Sequence, residues 1–368
     1  MKKRIGMIFG TRPEVIKLSP LMNAQANDIF EYVFISTGQQ ESLNYQALED
    51  FDIQPHCSLA LMKPNQTLNT YLSNAISALE VALAEQRIDY ALVHGDTGTA
   101  LAGALASYNL QIPLIHIEAG LRSRDVNNPF PEEMNRKLVS QIATYNFAPT
   151  EIARENLLAE GVPSEKIYVV GNTIVDVVKN VLSRYDRHLK DLPIVEQFKK
   201  YERNVLFTVH RRENHKNMDE FARTLESLVT ISDSLGLWVP VHPNPNVREK
   251  LVYLKGKYPN LHILEPLEYL SFLAAEKYTD LIVTDSGGIQ EESTVLRKYC
   301  IVLRDTTERP ELVSSGWGEL IKFDSQSIKS RIIEVLDNLE KFKGETSPFG
   351  DGTSGLRIQE ILEAELGK

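Results

Sequence analysis

The chain has 368 residues, 42% of them hydrophobic and 24% charged, and a formal net charge of -10. That length exceeds one average core and predicts two domains of ordinary globular composition. The acidic balance, without a Lys/Arg-rich run, excludes broad binding to nucleic acid or an anionic membrane, while a small anionic ligand needs only a few local cations.

The opening "MKKRIGMIFGTRPE" places basic residues before apolar ones, as a signal peptide does. Its apolar part is only about six residues, short of the ~7–15 such a leader needs, and no small-residue cleavage site follows. Nothing approaches ~18 consecutive apolar residues, so no membrane-spanning helix is predicted. Cys57 and Cys300 are the only cysteines, far apart and without metal-ligand spacing, and read as free thiols. The expected location is the cytoplasm.

Short apolar runs then alternate with amphipathic stretches. Predicted strands are Ile5–Phe9, Tyr32–Ser36, Tyr90–His94, Leu114–Glu118, Tyr145–Pro149 and Ile167–Val170. A second series follows at Val205–Val209, Leu237–Val241, Leu261–Leu264, Leu281–Thr284 and Cys300–Leu303. Helical patterns between them, such as 67–86 and 218–236, imply βαβ units, parallel sheets and two Rossmann-like domains. The boundary is expected near Gly171, giving domains 1–170 and 171–354, with a polar connecting segment at 183–204. A terminal helix, 355–368, is expected to cross back onto the first domain. Ligands of such sheets bind beyond the carboxyl ends of the strands, which directs attention to the residues that follow each run.

After the first strand, Gly10-Thr11-Arg12-Pro13-Glu14 with Lys17 one turn beyond suits an anion, because a helix N-terminus offers free N–H groups and the cations add charge. An ordinary strand–helix turn with surface cations explains the same residues. Asp96, after Gly95 and before Thr97, is either a helix cap or a site carboxylate. Alternation places Leu114, His116 and Glu118 on one side of the next strand, with Glu118 at its end. In "NPFPEEMNRKL" a helix is expected to begin at Pro131 or Glu132, with Glu132 and Arg136 at i,i+4 as a surface pair or a functional one. The second series opens with His210 at a strand end beside Arg211 and Arg212. His242 stands at the following strand end, and Arg309 lies in "RDTTERPE".

In "DLIVTDSGGIQEES" the strand ends at Asp285-Ser286-Gly287-Gly288, and Gln290, Glu291 and Glu292 follow in the first turns of a helix. Two glycines cost backbone entropy, and their gain is that amide groups can approach a diphosphate with no β-carbon between. Glu292, nearly two turns in, is then placed to accept ribose hydroxyl hydrogens. A nucleotide accounts for both the glycines and the acid. HExxH and paired cysteines are absent, and DSGG is not the GxSxG of a serine hydrolase.

Taken together, these stretches resemble the non-hydrolysing UDP-N-acetylglucosamine 2-epimerase family. The matching elements, in the family's order, are "FGTRPEVIKLSP", "TGQ", "HGDT", "HIEAGLRS", "NPFPEEMNR", "FAPT", "GNTIVD", "HRREN", "VHPNPNV", "TDSGGIQEE" and "RDTTERPE", and they span nearly the whole chain. The resemblance implies an α/β fold of two Rossmann-like domains in a GT-B-type arrangement, with the site in the interdomain cleft, commonly as a homodimer. It implies reversible conversion of UDP-GlcNAc to UDP-ManNAc for bacterial surface polysaccharides, without metal or nicotinamide cofactor. By motif match, Asp96, Glu118, Glu132 and His210 would form the reaction centre, and Arg136 would support it. Arg12 and Lys17 would approach the substrate, Phe272 would lie on the uracil with the Leu267 backbone near it, Ser286, Gly287 and Gly288 would hold the diphosphate, Glu292 the ribose, and Arg309 the phosphate side.

The chain departs from the family's usual pattern at Gly98, Gln40 and Trp317 and lacks a glycine soon after "HRREN"; none of these removes a proposed catalytic group. The alternatives are a GT-B glycosyltransferase using a UDP-sugar donor, an epimerase for a related UDP-sugar, a hydrolysing epimerase and a non-catalytic UDP-sugar sensor.

Overall fold

The computed structural model describes residues 2–24, 27–39, 47–63, 65–209, 211–241, 245–342, 344 and 346–368, without the side chains of Arg212, Glu213, His215, Pro245 and Asn246. It divides into two compact units, one of Met1–Val177 with Phe349–Lys368 and one of Val178–Pro348.

The first unit is built on β1 (Lys3–Phe9), β2 (Phe30–Ser36), β3 (Cys57–Ser58), β4 (Tyr90–His94), β5 (Leu114–Ile117), β6 (Tyr145–Ala148) and β7 (Ile167–Val169). These form one sheet in the order β3-β2-β1-β4-β5-β6-β7, and every paired neighbour is parallel. Ile5, Met7, Ile8 and Phe9 of β1 are fully buried. The run is continuously apolar, because a parallel sheet is covered on both faces. The second unit contains β8 (Arg203–Thr208), β9 (Leu235–Pro240), β10 (Leu261–Leu264), β11 (Leu281–Thr284), β12 (Tyr299–Val302) and β13 (Gly318–Leu320), again parallel, in the order β10-β9-β8-β11-β12-β13. Each unit is therefore a doubly wound α/β fold with its own core.

Three local expectations change. The stretch 183–204 is not a plain polar connector, since helices Thr173–Lys190 and Pro193–Phe198 occupy most of it. Leu189, Ile194, Val195 and Phe198 are buried, and Phe198 packs on Trp238 with ring centroids 4.4 Å apart; a few apolar positions at helical spacing suffice among many charges. The helical pattern of 218–236 ends at Leu228, and β9 begins at Leu235. The short strands β3 and β13 were not expected, because two or three residues carry no periodicity to read. Helix Ser354–Leu366 packs against helix Arg12–Met22, within the first unit. Among the described residues no helix is long and apolar enough to cross a membrane.

In both sheets the strand order reverses beside the first strand of the unit, between β1 and β4 and between β8 and β11. In open α/β sheets the ligand crevice lies outside the carboxyl ends of strands at such a switch point. The segments there are Gly10–Arg12 and Gly95–Thr97 in the first unit, and Val209, Arg211 and Asp285–Gly288 in the second.

Candidate active site

In the first unit the turn after β1 is locked by its own sequence. Thr11 caps helix Arg12–Met22, and Glu14, at the third helical position, completes a capping box. The Glu14 carboxylate is enclosed and accepts hydrogen bonds from the Gly10 N–H (2.9 Å), the Thr11 N–H (2.7 Å), the Thr11 hydroxyl (2.9 Å) and the Thr97 hydroxyl (2.7 Å). Burial raises its pKa, with these hydrogen bonds opposing. Glu14 thus ties the β1 turn to the β4 turn. Gly10 is required sterically, because a β-carbon there would collide with the Thr37 and Thr99 hydroxyls.

Two cation–carboxylate contacts follow. The Lys17 ammonium donates to Glu118 Oε2, which also accepts from Asn172 Nδ2 at 2.8 Å and lies 3.9 Å from His94 Nε2. The Glu118 side chain is only 10% exposed, so its charge depends on such partners. Arg136 donates to Asp96 Oδ2 through Nε (2.7 Å) and Nη2 (2.5 Å), and to Glu133 Oε2 through Nη1 (2.9 Å). Fully buried Glu133 in turn accepts the Ser123 N–H at 3.0 Å, joining helix Glu132–Ile142 to the loop after β5. The cap of helix Gly98–Asn109 is Thr97, whose hydroxyl accepts the Ala100 N–H at 3.0 Å. Asp96 is thereby released from capping and meets Arg136.

Glu118 does not continue β5. Its φ of +62° turns it out of the strand, so the expected alternation holds for Leu114 and His116 and stops there. A left-handed glutamate costs about 1–2 kcal/mol, and such outliers persist where surroundings overdetermine them. His116 is buried, its Nε2 lies 2.8 Å from the Gly95 carbonyl, and burial lowers its pKa to about 4. That makes it a neutral core histidine that braces the β4 turn.

In the second unit, helix Gly287–Val295 starts directly after β11, with Ser286 as its cap residue. The two glycines differ. A β-carbon on Gly287 would stand 2.5 Å from Arg309 Nη1, so the space it leaves is filled by the Arg309 guanidinium; one on Gly288 would meet nothing within 4 Å among the described residues. Arg309 is buried, with Nε 2.5 Å from Glu291 Oε1 and Nη1 3.5 Å from Glu308 Oε2. Asp285 Oδ2 accepts the Arg211 N–H (3.0 Å) and Asn214 Nδ2 (2.9 Å), fixing the loop after β8 to the end of β11. Glu292 accepts the Tyr269 hydroxyl at 3.1 Å. On helix Tyr269–Tyr278, Phe272 is half-buried against the cluster of Ile282, Ile289, Cys300, Val302, Leu312 and Trp317, and Leu267 is half-buried just before that helix.

A family model described as UDP-N-acetylglucosamine 2-epimerase matches residues 22–363. The chain belongs to this epimerase family, a family of isomerases. It is 39% identical over 368 residues to the UDP-N-acetylglucosamine 2-epimerase of Escherichia coli (strain K12), covering 97% of each chain. The crystal structure of the Neisseria meningitidis UDP-GlcNAc 2-epimerase bound to UDP-GlcNAc matches with a TM-score of 0.92, 36% identity and coverage of 99% of this chain and 100% of that one. The Methanocaldococcus jannaschii enzyme in complex with UDP-GlcNAc and UDP matches with a TM-score of 0.87, 36% identity and the same coverage. The fold is the two-domain, GT-B-like α/β fold of these epimerases.

Within the epimerase fold, the structure brings Lys17 to Glu118, Arg136 to Asp96, and Arg309 to Gly287. Arg12 opens its helix half-buried, and Glu132, also half-buried, opens the helix that carries Arg136. The expected His210, like His242, lies outside the described residues. Several supporting residues escaped the sequence reading. Glu14 had a usable signal, the T-x-x-E of a capping box. Glu291 and Glu308 stood beside residues already singled out, while Asn172 and Glu133 carried no pattern, since their importance arises from contacts 54 and 10 residues away.

Proposed function

We propose that the protein interconverts UDP-GlcNAc and UDP-ManNAc by eliminating and re-adding UDP. A C2 proton of this sugar is not beside a carbonyl and is poorly acidic. Breaking the anomeric C–O bond first develops positive charge at C1 and releases UDP as an anion. A carboxylate then takes the C2 proton, leaving 2-acetamidoglucal; protonation of the opposite face and return of UDP to C1 give the epimer.

The observation that carries this reading is the pair of ion-paired carboxylates at the strand ends of the first unit, Glu118 with Lys17 and Asp96 with Arg136. Asp96, Glu118 and Glu132 would share proton transfer and stabilisation of C1, a contribution typically of ~10²–10⁴-fold for a positioned base. Arg12, Lys17, Arg309 and the amides of Ser286, Gly287 and Gly288 would bind the diphosphate and meet its charge as the bond breaks. Glu292 would accept ribose hydroxyl hydrogens, with Phe272 against the uracil and the Leu267 backbone near it. His210 would assist departure of UDP. Support for the nucleotide comes from the open space at Gly288, the buried Arg309 and the UDP-containing complexes of the relatives.

No metal or nicotinamide is assigned a role, and treatment with a chelator is expected to leave the rate unchanged. The working form would be a cytoplasmic homodimer supplying surface polysaccharide synthesis. The test is proton NMR of UDP-GlcNAc with the protein in D₂O and no acceptor. Appearance of UDP-ManNAc with deuterium at C2 supports the reading. Free ManNAc with UDP would indicate a hydrolysing enzyme, and unchanged, undeuterated UDP-GlcNAc would indicate a transferase or a sensor.

A further inference from the structure

Glu276 is a glutamate that the mechanism leaves unused. It lies on helix Tyr269–Tyr278, is 0% exposed, and neither of its carboxyl oxygens has a hydrogen-bond partner among the described residues. Tyr269, Phe272 and Glu276 follow at i, i+3 and i+7, one face of the helix. That face holds the hydroxyl that donates to Glu292 and the ring packed against Ile282 and Ile289. We propose that Glu276 is a positioning residue of the nucleotide site, an uncharged carboxyl behind Glu292 whose proton UDP binding requires. This rests on the reading above that Gly288 and Glu292 receive the nucleotide.

A carboxylate enclosed without hydrogen bonds is costly, and such a group keeps its proton instead. Burial raises the pKa of Glu276 well above the usual range, and the charge of Glu292 raises it further. Glu276 in turn acts on the buried Cys300 thiol of β12, whose pKa is pushed up chiefly by burial. Helix Tyr269–Tyr278 also packs on helix Pro193–Phe198 and on β8, whose charges are engaged elsewhere: Glu196 with Lys199, and Arg203 with Asp280. Lys277, the next residue along, pairs with Asp186.

A second negative charge beside Glu292 would repel the incoming diphosphate and displace the carboxylate that the ribose needs. UDP therefore binds the protonated form of Glu276 in preference, and by linkage affinity falls as pH rises through its raised pKa, by up to about tenfold per pH unit. A neutral amide at this position removes the effect.

The experiment is calorimetric titration of UDP into the full chain and into Glu276→Gln, from mildly acidic to mildly alkaline solution. Equal affinities at the acidic end, with the wild type losing up to about tenfold more per pH unit than the variant, support the proposal. A purely structural role would instead lower the variant's affinity equally at every pH, and parallel profiles overturn the proposal. Should the variant not fold, the wild type is titrated at the alkaline end in buffers of different ionisation enthalpy. UDP is fully ionised there, so net proton uptake supports the role of Glu276 and its absence overturns it. Failure of the wild type to bind UDP at any pH overturns the nucleotide reading and this proposal with it, whereas binding with parallel profiles overturns only the role of Glu276.

Discussion

In the first unit Glu118 and Asp96 each meet a cation, Lys17 and Arg136; in the second, the cation Arg309 meets the acids Glu291 and Glu308. The two sheets share strand order and parallel pairing, and both draw these groups from the segments that follow the strands at the reversal and the one next to it. Topology thus fixes where a ligand is met, and the side chains fix which sign of charge meets it. In both cases the proposed site group is held by an oppositely charged partner, which offsets the cost of keeping an ion in a nearly dry place.

The largest expected effect comes from breaking the acidic set. Glu118→Gln keeps the shape of the side chain and its contact with Asn172, and removes one of the three carboxylates proposed to share proton transfer. Solvent deuterium incorporation at C2 of UDP-GlcNAc is expected to fall by ~10²–10⁴-fold. Exchange at the wild-type rate would remove Glu118 from the chemistry. The corresponding change in the second unit is Arg309→Met, which removes the guanidinium held against the buried Glu291, while Glu308 keeps its pair with Arg304 at 2.7 Å. Loss of a desolvated charge partner costs about 2–5 kcal/mol. UDP affinity, measured by calorimetry, is expected to drop at least about thirtyfold, whereas unchanged affinity would make Arg309 a scaffold residue only.

A finer test separates the two glycines that look equivalent in the sequence. Gly288→Ala places a methyl group in space that is open among the described residues and removes the backbone entropy of a first-turn glycine, so stability should rise by up to about 0.5–1 kcal/mol while UDP affinity falls. Gly287→Ala drives a methyl into the Arg309 guanidinium and should lower stability by about 1–3 kcal/mol. Thermal melts with and without UDP check both. Equal behaviour of the two variants would show that the difference in surroundings is without consequence.

That pair also marks the limit of what was legible. Strand-ending apolar runs, glycine-rich turns and helix starts are local, and the two-domain parallel architecture followed from their alternation. What a missing β-carbon faces depends on a residue 22 positions later, and local patterning does not say that Gly287 serves Arg309 while Gly288 stays open. The same holds for Asp96, where capping was the favoured reading over chemistry until Thr97 proved to be the cap. The left-handed Glu118 had no signal either, because a positive φ is usually announced by glycine and here is borne by the acid itself.

The smallest expected effect tests whether every buried ion pair of the first unit belongs with the chemistry. Arg122 grips Glu160 through Nη2 to Oε2 at 2.7 Å and Nε to Oε1 at 3.0 Å, with the arginine almost fully enclosed and the carboxylate one-quarter exposed. Burial alone would raise the pKa of Glu160, but the hydrogen bonds and charge of Arg122, with Lys137, outweigh it and the net shift is downward. A carboxylate lowered on folding contributes stability above its unfolded pKa and loses it as pH falls through the folded value. Glu160→Gln should therefore cost about 1–2 kcal/mol near neutral pH, with the difference from wild type closing in acid, as read from urea melts at both conditions. Deuterium exchange at C2 should stay within about twofold of wild type, because Glu160 holds a loop rather than a reacting group. A loss of exchange as large as that of Glu118→Gln would erase the distinction between the ion pairs proposed for the chemistry and the one assigned to the fold.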